Sequence, residues 1–256
     1  MDTTNTTAKL PAREATTAAN PGALFAPAGR RDFYAPIHKA LRLFMTRTLC
    51  SVGSTDPADA QEVHATLDLL ERLLALCESH LQHENEFVHP ALERARSGSA
   101  ARVGAEHDHH SEAIADLRDL AALVADSPEA ARGAALSRLY RTLALFVAEN
   151  LRHMHVEETA HNAVLWAAYS DEELDAIEHT LVTSIAPATM LEALHWFLPA
   201  LNAPERAGML GGIKQGMPPE PFRAVLDIAQ RTLSPRDHAL LLRDLGLAAA
   251  AEPAAV

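Results

Sequence analysis

With 256 residues, 48% hydrophobic but only 5% aromatic, the chain can bury a sizeable aliphatic core, and its wealth of Ala and Leu favours helix. A formal charge of −12 repels phosphate backbones and anionic membrane surfaces, and no basic stripe offsets it, so neither nucleic acid nor membrane is expected as a partner. Two cysteines, Cys50 and Cys77, are too few for a disulfide framework in a chain this long, which suits a reducing, cytoplasmic setting.

Residues 1–31 are rich in Thr, Ala and Pro without the apolar core of a signal peptide, and read as a disordered tail. From Phe33 the pattern turns helical, with Ile37, Leu41, Phe44, Met45 and Leu49 on one stripe, and this first helix ends near Gly53. Asp56-Pro57 then offers a cap and an early proline for a second helix from about Ala58 to Arg96, which Ser97-Gly98-Ser99 closes. A third helix carries Val103, His107, His110, Ile114, Leu117 and Val124. A fourth starts at Ser127-Pro128 and runs through Leu136, Leu143 and Phe146 to about Tyr169. Four long helices with short breaks predict an all-α, up-down-up-down bundle over 32–169. Residues 170–256 change character. Ser170 to Glu173 form a capping box, while Asn202, Ser234 and several Gly and Pro residues delimit short helices, a C-terminal extension to the bundle.

Two stretches within the bundle resemble each other: HLQHENEFVHPAL from His80 and HMHVEETAHNAVL from His153. Each sets a Glu four residues after a His, so His80 with Glu84 and His153 with Glu157 each present an imidazole and a carboxylate on one helix face. The first helix offers His38 on its apolar stripe, and the third offers His107 and His110. These seven polar groups occupy positions where the pattern calls for core. Burying them without partners costs up to a few kcal/mol each, about 2 or more, so a bound metal is the economical explanation. Surface helices joined by His/Glu links would not place histidines on the apolar stripes of two further helices. Five imidazoles and two carboxylates are enough for two adjacent metal ions bridged by the carboxylates, and such ligation without thiolate suits iron, manganese or zinc, bundle-core carboxylate sites being a known home for di-iron. By α-helical geometry His83, His89, His109 and His155 lie off this face, and His161 lies beside it.

The repeated His-x-x-x-Glu phrase, preceded by IHKALR around His38 and by EHDHH at 106–110, resembles the hemerythrin family, also called the HHE cation-binding domain. The resemblance covers about residues 33–169. It implies a four-helix bundle with an oxo- or hydroxo-bridged di-iron centre that binds dioxygen or a related small molecule. In the family's oxygen carriers the third-helix histidines are four apart, whereas His107 and His110 are three apart, so one of them can be a ligand and the other a supporting residue. The carriers' spacing on the fourth helix points to Glu158 and that of the repair-type relatives to Glu157. The internal repeat favours Glu157, which maps onto Glu84 at the same offset of 73 as His153 onto His80.

Two functions follow from this resemblance. One is a binding protein for dioxygen, nitric oxide or peroxide in a carrier, sensing or stress-response role, with the C-terminal helices reporting occupancy or joining copies or partners. The other is a di-iron oxidase, oxygenase or peroxide-consuming enzyme. An imidazole-rich donor set tilts toward binding.

Overall fold

The computed structural model of the chain describes residues 29–32 and 34–247, and within them every regular element is helical. Helix α1 (Ala35–Ser54) begins with Pro36 in its first turn, where the missing N–H costs nothing. Helix α2 (Ala60–His83) is capped by Asp59, whose carboxylate accepts from the N–H groups of Gln61 and Glu62 at 2.9 and 3.0 Å. It runs without a break through a π-helical turn, Glu84–Val88, into α3 (His89–Ala95). The turn after it needs the left-handed conformation at Gly98, φ 80°, and the Glu93 carboxylate holds it by accepting from the Gly98 and Ala100 N–H groups. Helices α4 (Ala101–Asp126) and α5 (Glu129–Val156) follow, and α5 likewise passes through a π-helical turn, Glu157–His161, into α6 (Asn162–Ala168).

In the bundle, α1 packs against α2 and α5, and α4 packs against the same two, so the four run up and down around one core. Leu41, Phe44, Met45, Leu70, Leu74, Leu117, Leu139, Leu143 and Phe146 form its main apolar core and are buried. Toward the other end apolar residues give way to histidine and glutamate. Beyond them a smaller cluster of Tyr34, Val88, Leu92, Leu165 and Leu174 closes the bundle.

Helices α7 (Asp171–Ser184), α8 (Pro187–Ala200), α9 (Ala203–Gly216), α10 (Pro219–Thr232) and α11 (Pro235–Asp244) make the C-terminal part. The capping box at Ser170/Glu173 forms as its spacing predicts, and Asn202, expected as a helix start, makes a second box with Glu205. Helix α8 serves two cores. Trp196 stacks on Phe44 of α1, centroids 3.5 Å apart, whereas Leu194 and Leu198 join Leu210, Phe222, Val225, Ile228 and Leu241 of the following helices. Arg206, buried, donates to the carbonyls of Leu198 and Leu201 at 2.8 Å each, satisfying the end of α8.

The tail expected over 1–31 lies outside the described residues as far as position 28. Its last residues are held: Arg30 donates to Asp171 and to the carbonyls of Trp166 and Tyr169, and Arg31 pairs with Asp175 and Glu178. No single helix among the described residues is long and apolar enough to cross a membrane.

Candidate metal centre

Four helices bring six of the seven expected side chains to one point inside the bundle. His38 comes from α1, His80 and Glu84 from the end of α2, His107 from α4, and His153 and Glu157 from the end of α5. Glu157 and His38 are fully buried, and only His80 has partial access to solvent. The two carboxylates lie between two imidazole pairs. Glu84 turns Oε1 toward His80 Nε2 at 3.3 Å and His38 Nε2 at 3.9 Å, and Oε2 toward His107 Nε2 at 3.3 Å. Glu157 does the converse, with Oε2 at 3.4 Å from His38 Nε2 and Oε1 at 3.2 Å from His153 Nε2 and 3.7 Å from His107 Nε2. Each carboxylate therefore offers one oxygen to each pair. Two sets of four donors result: His38, His80, Glu84 and Glu157 in one, and His107, His153, Glu84 and Glu157 in the other.

The imidazoles are held from behind. His38 Nδ1 donates to Glu158 at 3.1 Å, His107 Nδ1 to Asn85 Oδ1 at 2.8 Å, and His153 Nδ1 to Glu106 at 3.0 Å. A proton fixed on each Nδ1 leaves an Nε2 lone pair pointing inward, the arrangement in which metal-binding histidines are usually found. Glu158 is itself gripped by Arg42 through both carboxylate oxygens, at 2.6 and 2.9 Å. This settles where the adjacent glutamates lie: Glu157 faces the centre, and Glu158 braces His38 from outside.

The donor set calls for cations. Both oxygens of Glu84 and of Glu157, together with Nε2 of His38 and His80, are buried with no hydrogen-bond partner. Burial, then repulsion from Glu157, pushes the Glu84 carboxyl well above the usual carboxylate range, and burial followed by the neighbouring His38 pushes His80 well below the usual histidine range. Burial opposes ionisation of Glu157 too, but the facing imidazoles of His107 and His153 outweigh it and hold its carboxyl low. Nε2 of His107 and Nε2 of His153 are only 3.1 Å apart. With both Nδ1 atoms protonated these two lone pairs would repel, unless a proton or a cation sits between them. That separation fits two nitrogens on one metal ion at bond lengths of about 2.1 Å. The residues present thus fit a pair of bound ions.

His110 falls outside both sets. It is buried one turn along α4, edge-on to His153 with centroids 4.7 Å apart, and burial followed by the charges of His153 and His107 pushes its pKa down to about 4. In its place the structure brings in two histidines that α-helical geometry sets aside or beside the face. His89 and His161 lie with Glu157 in a third group of potential ligands. The reason is the π turn, whose i→i+5 bond from the His89 N–H to the Glu84 carbonyl puts an extra residue in the turn and swings His89 inward. Pro90 is the signal in the sequence: it cannot donate to the carbonyl four residues back, and its ring crowds that carbonyl, so the helix widens there. His83, His109 and His155 take no part in any of the three groups.

Two carboxylates shared between two imidazole pairs, all projecting inward from the helices of a bundle, define a bundle-core cation site. The chain belongs to the hemerythrin family: the profile of the Hemerythrin HHE cation binding domain matches residues 32–162, a span that contains all of these side chains. Comparison with curated proteins and with solved structures returned no match.

Proposed function

We propose that the chain is a non-haem di-iron protein that binds dioxygen or a related small molecule, nitric oxide or peroxide, in a carrier, sensing or stress-response role. His38 and His80 would hold one ion, His107 and His153 the other, and Glu84 and Glu157 would bridge them. The observation that carries this reading is the pair of buried carboxylates whose four oxygens lack hydrogen-bond partners while each oxygen faces an imidazole. Iron bound there would supply reversible redox chemistry toward small oxygen and nitrogen ligands. The chain's own part is to set the ions close together, hold the imidazoles of His38, His107 and His153 by their outer nitrogens, and keep bulk water out with the cluster around Tyr34, Val88 and Leu165. Four imidazoles against two carboxylates support ligand binding over strongly oxidising chemistry, with a di-iron oxidase or peroxide-consuming enzyme as the second reading.

Anaerobic loading of the metal-free chain with Fe(II), followed by admission of oxygen, tests this directly. About two irons per chain and a new visible absorption that disappears when oxygen is removed are expected. Steady consumption of oxygen or peroxide without a lasting spectral species would favour the enzyme, and one zinc per chain with no iron uptake would reject both.

A further inference from the structure

Beside the two ion positions lies a third group, which shares Glu157 with them and adds two histidines that their ligation does not use. His89, Glu157 and His161 each offer an atom within 4.8 Å of the others. His89 and His161 are nearly or fully buried, and Nε2 of His89 has no hydrogen-bond partner. The two rings meet edge to face, centroids 6.0 Å apart, and His89 stacks on His107 at 4.8 Å. His161 is held through Nδ1 by the hydroxyl of Tyr34 at 3.2 Å, as Glu158 and Glu106 hold histidines of the main centre. Two neutral imidazoles and one carboxylate match first-row transition metals better than calcium or magnesium, which want oxygen.

We infer that His89, Glu157 and His161 form a third, weaker position for a divalent first-row transition-metal ion, beside the two-ion centre and sharing Glu157 with it. The inference rests on the two-ion reading above. The position is weaker for two reasons: it has three protein donors where the others have four, and Glu157 already serves two ions. A third dication beside two others, with two buried carboxylates among the three, is bound against their repulsion. It therefore fills last and empties first.

Anaerobic equilibrium dialysis of the metal-free full chain against Co(II), with metal analysis and visible spectra, is the test. The wild type is expected to bind two equivalents tightly and a third at least about tenfold more weakly, a difference of about 1.4 kcal/mol. His89→Phe and His161→Phe, which keep a ring of similar shape, should each retain the first two equivalents and lose the third. If one variant fails to fold, the other decides. Saturation of the wild type at two equivalents, persistence of the third in a folded variant, or loss of all tight binding in the variants would each overturn the third position. Fewer than two equivalents in the wild type would reject the two-ion centre and the third position with it.

Discussion

Glu84→Gln keeps the shape of a bridging side chain and removes its charge, and its effect should change sign with metal. In the metal-free chain Glu84 is 3% exposed, its oxygens have no partners, and burial followed by repulsion from Glu157 raises its pKa. A carboxyl whose folded pKa lies above its unfolded one binds its proton more tightly when folded. The contribution of Glu84 to the stability of the metal-free fold is then greatest below the unfolded value, near 4.5, and is lost as pH rises toward the folded value. The amide carries no such cost, so it should raise the metal-free melting temperature at pH 8, each 1 kcal/mol recovered being worth about 2–4 °C in a chain of this size. The gap should close on acidification toward pH 4.5. With metal the order reverses, because Glu84 belongs to both four-donor sets and its loss weakens both positions at once. At free metal a thousandfold above Kd each site adds about 4.1 kcal/mol, or about 8 for two, of which the variant should recover less than half. Thermal unfolding by far-ultraviolet circular dichroism, with metal content measured on the same samples, reads both effects. A metal-free variant that melts below metal-free wild type, and that still holds a full metal complement when loaded, would refute the bridging role.

Trp196→Ala removes the ring stacked on Phe44 and opens the seam between α8 and the bundle, so a loss of about 3–5 kcal/mol is expected, read as a lower unfolding midpoint and faster proteolysis near Ser184. Glu158 lies behind His38, where hydrogen bonds from His38 and Arg42 outweigh burial and hold its pKa down to about 2. Its stabilising effect is fully present above the unfolded value of 4.5 and fades as pH falls toward 2, so metal-free Glu158→Gln should be less stable than wild type by about 1–3 kcal/mol at pH 7 and equal to it near pH 2, by urea titration.

The fold was legible because caps and periodicity agree. Prolines mark helix starts, and the Ser170/Glu173 box falls where its spacing puts it. The convergence of the six side chains was legible for a related reason: His80 with Glu84, and His153 with Glu157, sit at or before the point where each helix widens, so α-helical spacing still holds between them. Past Glu84 it fails. The extra residue in the π turn carries His89 onto the inner face, and a template of 3.6 residues per turn puts it elsewhere. Glu106, Asn85 and Tyr34 were not legible at all, since a residue that grips the far nitrogen of an imidazole is chosen by the tertiary approach of another helix and leaves no spacing in the chain.

The same limit explains α8. Its run of Leu191, Leu194, Trp196, Phe197 and Leu198 is apolar on more than one side, which says that the helix is covered without saying by what. Trp196 goes to the bundle, while Leu194 and Leu198 go to the C-terminal helices. One helix thus couples two cores, and its contact with α1 joins the C-terminal part to the same helix that supplies His38. Lys39, next in sequence to His38, pairs with Glu205 at the start of α9. Any shift of α1 on metal binding at His38 would therefore bear on Trp196 and Glu205 together, through a contact beside which a cleft lined by Phe44, Leu76, Ala193 and Trp196 opens.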